Sequence, residues 1–194
     1  MVTRLPIEKR SPRDFWDDQH KALASNQITW ILSADELLRA FEILARQAEE
    51  DVRKLNEDKA FCPPRVYGTA LMLAALAIEN LLKAVLLPLV NPLFDKRGAF
   101  VLDTHDILKL AEDANISLTQ DERILLERLE QFLTWAGRYP VPLFSEEMRP
   151  RTLPNGGFAP RTYYTIPSDF ETIFAFAKRL KALLPVINYA PTKT

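Results

Sequence analysis

Apolar side chains recur along most of this chain at spacings of three and four, the period of a helix that buries one face. Leu37, Phe41, Leu44, Ala48, Val52 and Leu55 form one such stripe, and Ser33-Ala-Asp-Glu36 before it has the form of a capping box, so a helix is expected over about 34–56. Upstream, Ser11-Pro12-Arg13-Asp14 joins a capping serine to a proline at the first helical position and predicts a short helix ending near Ser25. From Arg65 to about Leu87 the chain is apolar on nearly every side, as a central helix covered by its neighbours must be. Thr104 predicts a cap for a helix from His105 to about Ala114. The box Thr119-Gln-Asp-Glu122 starts another, which turns Ile124, Leu125, Leu129, Phe132 and Leu133 inward and stops at Gly137. Ser168-Asp-Phe-Glu171 predicts the start of the last helix, with Phe170, Ile173, Phe174, Phe176, Ala177, Leu180 and Leu183 packing inward. Between these segments the prolines gather, and residues 138–167, with six prolines and Gly156-Gly157, read as a long loop holding at most a short strand at Tyr163–Ile166. The expected fold class is all-α: an up-and-down helical bundle in a single domain, 1–194, with flanking helices over 12–56 and 169–184.

Composition narrows the chemistry. With 194 residues, 47% hydrophobic and 26% charged, the chain can bury one good core. A formal net charge of −1 and a pI near 6.2 argue against holding nucleic acid by bulk electrostatics, so any basic face has to be local. Cys62 is the sole cysteine, which excludes an internal disulfide and a paired-cysteine zinc site and fits a reducing cytoplasm; before Pro63-Pro64 it reads as a small buried hydrophobe. Only His20 and His105 are histidines, so no metal site is expected. The start, MVTRLPIEKRSPRDFW, lacks an apolar signal stretch. Glu79, Asn80 and Lys83 interrupt the tract from Gly68 to Val90, and two central charges in a bilayer would cost roughly 2.5–3.5 kcal/mol each, so a buried bundle helix is expected and no membrane contact. Phosphate-binding glycine loops, dinucleotide fingerprints and Gly-x-Ser-x-Gly elbows are all missing, and no cofactor is expected.

Six residues remain as candidates. Glu79 and Lys83, four apart, share one face of the apolar helix; that face either points to solvent or forms a polar cluster with His105 or Arg138. His105 is expected in a helix's first turn, where the dipole disfavours the protonated imidazole and a neutral ring could accept a ribose hydroxyl proton; Asp106 opposes that effect of the dipole and suits the helix start. Arg138 and Tyr139 suit a phosphate and a base respectively, but equally a helix C-terminus and a ring sealing the bundle end. The loop interleaves Arg149, Arg151 and Arg161 with Phe158, Tyr163 and Tyr164, a mixture that suits single-stranded nucleic acid, a packed loop or a dimer-forming arm.

Three pieces in order, Ile78-Glu-Asn-Leu-Leu-Lys-Ala84, Thr104-His-Asp-Ile-Leu-Lys-Leu110 and Gly137-Arg-Tyr-Pro140, resemble the HEPN family (higher eukaryotes and prokaryotes nucleotide-binding) over roughly residues 66–141. The resemblance implies a compact helical bundle centred on that span and a nucleotide- or RNA-associated role in bacterial toxin–antitoxin, stress or defence modules. It also implies a nucleotidyltransferase as one kind of partner, and a homodimer. Glu79, Lys83, His105, Asp106, Arg138 and Tyr139 would then form the ligand site. One branch of the family consists of metal-independent ribonucleases with an Arg-x4–6-His motif. This chain departs from it: Arg97 stands eight positions before His105, and the Arg13–His20 pair lies outside the matching span and reads as a solvated helix face. Binding is therefore expected ahead of catalysis, with a ribonuclease using His105 and Arg138, or an adaptor gripping a partner through the loop, as alternatives.

Overall fold

A computed structural model describes residues 12–58, 66–139, 141–152, 156–159, 165 and 167–186. Six α-helices are found among them: α1 (Pro12–Ala24), α2 (Gln27–Glu57), α3 (Tyr67–Leu86), α4 (Ile107–Asp113), α5 (Gln120–Gln131) and α6 (Ser168–Lys181). The chain is thus an all-α helical bundle. The long loop contributes a two-residue antiparallel ladder, Arg151–Thr152 against Phe158–Ala159. The expected short strand at Tyr163–Ile166, Cys62 and the capping Ser11 lie outside the described residues.

The central helix is α3, which packs against α2, α4, α5 and α6. Ala70, Ala74, Ala75, Ala77, Ile78, Leu81, Leu82 and Ala84 have no solvent exposure. Small alanines let neighbouring backbones approach closely, and the leucines and isoleucine fill what remains. The span from Tyr67 to Leu89 is apolar and long enough to cross a membrane, but most of it is buried within the bundle.

Several helix starts differ from expectation. α2 begins at Gln27, because the Asn26 side chain accepts the Ile28 N–H at 3.0 Å and caps it there. Ser33 therefore sits inside the helix and is not a cap. At the far end, residues 53–58 are all exposed, so Leu55 lies outside the core. α4 begins after Asp106, whose carboxylate accepts the Lys109 N–H at 2.8 Å. Thr104 instead accepts the Asp106 N–H at 3.2 Å, so His105 precedes the helix rather than occupying its first turn. α4 ends in a Schellman turn: Asn115, at φ 54°, donates its N–H to Glu112, and Ile116 donates to Ala111. The Thr119–Glu122 box has both reciprocal hydrogen bonds.

Among the described residues Ser168 makes no capping bond. Asp169 draws the loop in by accepting the Thr165 N–H at 2.6 Å, and it receives a buried bidentate bond from Arg128 at 2.7 and 2.6 Å that ties α6 to α5. Phe174 is partly exposed, with its ring 4.9 Å from Phe41, and Leu183 falls beyond the end of α6 and is exposed.

Candidate functional site

Glu79 and Lys83 are both 4% exposed, which removes the reading of a solvent-facing pair. Their i,i+4 spacing brings Lys83 Nζ to 2.6 Å from Glu79 Oε1. The second carboxylate oxygen, Oε2, lies 2.9 Å from His105 Nδ1, at the end of the segment that leads into α4. A carboxylate only accepts, so Nδ1 is the nitrogen that carries the proton. The imidazole side chain is 58% exposed, so Glu79 fixes the ring with Nε2 turned away from the carboxylate, an acceptor whenever the imidazole is neutral. Asp106, as the α4 cap, orders the backbone next to it.

Lys83 has a second neighbour: its ammonium stands 5.5 Å from the centre of the Trp30 ring. Trp30 stacks on Phe100 (5.4 Å), Phe100 meets Phe94 (5.8 Å), and His20 of α1 lies edge-on to Phe94 (5.7 Å). His20 is thus exposed yet attached to an aromatic run, which is more than a solvated helix face. Beside these rings opens a cleft of about 350 Å³, lined by His20, Leu23, Trp30, Ser33, Asn80 and Phe100 among others. Asn80 Nδ2 donates to Ser33 Oγ at 3.1 Å. Trp30, Ser33 and Asn80 were not among the sequence candidates. The available signal was Asn80, a polar side chain breaking an apolar tract where no helix end excuses it.

Arg138 and Tyr139 lie elsewhere. Arg138 Nη2 donates to the carbonyls of Leu133 and Thr134, the latter at 3.1 Å, closing the end of the π-helical turn Phe132–Ala136 that extends α5. Gly137 follows and is forced by packing: a Cβ there would lie 2.5 Å from Met72 Cβ and 2.8 Å from the Phe132 carbonyl oxygen. Met72 is in the first half of α3, and Glu79 is seven residues further on, about 10 Å along the axis. Tyr139 is exposed and lines a separate cavity of about 650 Å³ with Trp135, Val141, Pro142 and Leu143. Hence Glu79, Lys83 and His105 come together, Asp106 beside them caps α4 without contacting the pair, and Arg138 and Tyr139 belong to the other end of α3.

On α5, Glu130 Oε1 accepts the Leu108 N–H at 3.0 Å, supplementing the α4 cap from across the bundle. Burial, together with the nearby Asp106 carboxylate and against the backbone N–H bonds, pushes the Glu130 carboxyl up to about 6. In the loop, Arg149 is exposed beside Glu146 at 3.9 Å, and Phe158 and Met148 are exposed; the side chains of Arg151, Arg161, Tyr163 and Tyr164 lie outside the described residues. Among the described residues no group of histidine, cysteine, aspartate and glutamate side chains is arranged to hold a metal ion. Neither protein-family models, nor characterised proteins, nor solved structures give a match to this chain.

Proposed function

We propose that this protein is a HEPN-like, nucleotide- or RNA-associated component of a bacterial toxin–antitoxin, stress or defence module, acting in the cytoplasm by binding. The supporting observation is the contact of Glu79 with both Lys83 and His105, which joins two of the three fragments that carry the resemblance. An exposed imidazole braced by a buried carboxylate suits a ribose hydroxyl or phosphate oxygen. Binding stands ahead of catalysis because Arg138, the group suited to stabilising charge on a cleaved phosphate, lies toward the other end of α3 from His105, with Nη2 bonded to its own helix end.

A second reading, a metal-independent ribonuclease, draws on the same dyad, since a carboxylate on Nδ1 leaves Nε2 able to take a proton. The adaptor reading draws on the exposed Val141, Leu143, Phe144 and Met148 of the loop, a surface suited to a nucleotidyltransferase, another protein or a second copy of the chain.

Calorimetric titration with nucleotides and short RNAs, alongside RNA cleavage in EDTA, separates the three. Binding that falls at least tenfold in His105→Ala without cleavage supports the proposal, and cleavage abolished by the same change supports the nuclease. If neither RNA nor nucleotide binds and a protein co-purifies through residues 145–165, the adaptor reading replaces both.

A further inference from the structure

We propose that the cleft between α1, α2 and α3 is a nucleobase subsite, with Asn80 reading the edge of the base; the assignment rests on the nucleotide-associated reading above and extends its site. At about 350 Å³ the cleft falls in the range of small-molecule pockets, roughly 300–1,000 Å³. Trp30, Phe100 and His20 line the cleft with aromatic carbon, the first two stacked on each other, and so give it an apolar wall suited to a flat heterocycle. Asn80 gives one amide N–H to Ser33, which fixes its orientation. Its other N–H and its Oδ1, which accepts no hydrogen bond from any described residue, remain for the cleft. A donor beside an acceptor in one plane pairs with the matching donor and acceptor on a base edge, whereas a sugar or a phosphate has no planar edge to offer. Lys83 connects the two halves of the site. Its buried ammonium lies over Trp30, which lines the cleft, and bonds Glu79, which holds His105; on this assignment the ribose phosphate attached to a bound base reaches from Asn80 toward the imidazole.

The test is calorimetric titration of the full chain with adenosine 5′-monophosphate, adenosine and ribose 5-phosphate. The base-bearing ligands are expected to bind, and ribose 5-phosphate at least tenfold more weakly than the nucleotide. Asn80→Asp keeps the side-chain shape but replaces the donor with a second acceptor. It should weaken adenosine and cytidine at least tenfold and spare guanosine, whose N1–H and N2–H both donate. Leu23→Trp, on the exposed α1, should fill the cleft and weaken adenosine without touching the core. His105→Ala should weaken the nucleotide at least tenfold and adenosine, which lacks the phosphate, by less. Ribose 5-phosphate binding as tightly as the nucleotide, or Asn80→Asp leaving every nucleoside unchanged, overturns the base subsite while the His105 site stands. If no nucleotide, nucleoside or RNA binds, the subsite and the nucleotide-associated reading fall together.

Discussion

Glu79 has two oxygens and a different partner on each, and that division decides how its surroundings respond to substitution. Removing one member of a buried ion pair strands the other charge, which typically costs about 3–5 kcal/mol, whereas removing both together often costs little. Lys83→Met should therefore lower unfolding free energy in urea by about that amount, and the double variant Glu79→Gln/Lys83→Met should recover most of it. Lys83→Met and Glu79→Gln each as stable as the parent would show that water already reaches the pair. Glu130 gives a second handle at the same scale. Its folded pKa, about 6, lies above the ordinary 4.5, so the folded state holds the proton more tightly. The stabilisation is full below pH 4.5 and is lost as pH rises through about 6, amounting to about 1 kcal/mol once solvent screening at this half-buried position is allowed for. Glu130→Gln should flatten the dependence of stability on pH between 4.5 and 6.5; a slope equal to that of the parent would remove Glu130 as its source.

At the scale of elements, caps and packing explain which parts of the sequence were legible. The Thr119–Glu122 box and the Gly137 stop are local signals, and both hold. Ser33-Ala-Asp-Glu36 has the same form and fails, because Asn26 starts the helix two turns earlier and leaves Ser33 to bond Asn80 across the α2–α3 interface. Nothing in a one-dimensional pattern separates a serine that caps from one that bridges. Leu55, Phe174 and Leu183 fit the helical period and still face solvent, since the period gives a side of a helix and not how far its neighbours extend. The Glu79–Lys83–His105 contact was foreshadowed by fragment order, but Arg138 was not separable from it until α3 showed them at different heights. Gly137 tests this packing. Gly137→Ala would overlap Met72 and should cost about 1–3 kcal/mol in a thermal or urea melt. Met72→Gly in the same chain, which removes the Cβ that would be overlapped, should reduce the penalty, and equal penalties in both backgrounds would place the strain elsewhere.

Across the whole molecule, α1 stands apart from the bundle it joins. From Phe15 to Leu23 every described side chain is exposed, and the main attachments are His20 against Phe94 and the Trp30 Nε1–H donating to the Ala24 carbonyl at 2.9 Å. Core burial runs through α2, α3, α4, α5 and α6 without it. A chain beginning at Asn26, which retains the α2 cap, should keep a cooperative melt within a few degrees of the parent. It should also lose adenosine binding, because His20, Leu23 and Ala24 leave the cleft. A chain that fails to fold would instead make α1 a structural member of the bundle. Trp30 adds an optical consequence. Its indole lies against Phe100 and the Lys83 ammonium at the edge of the cleft, whereas Trp16 is exposed on α1 and Trp135 lies near the distal cavity. With Trp16→Phe and Trp135→Phe, the tryptophan emission left would come from Trp30 alone, beside the proposed ligand, and its colour and intensity would report occupancy without any added dye.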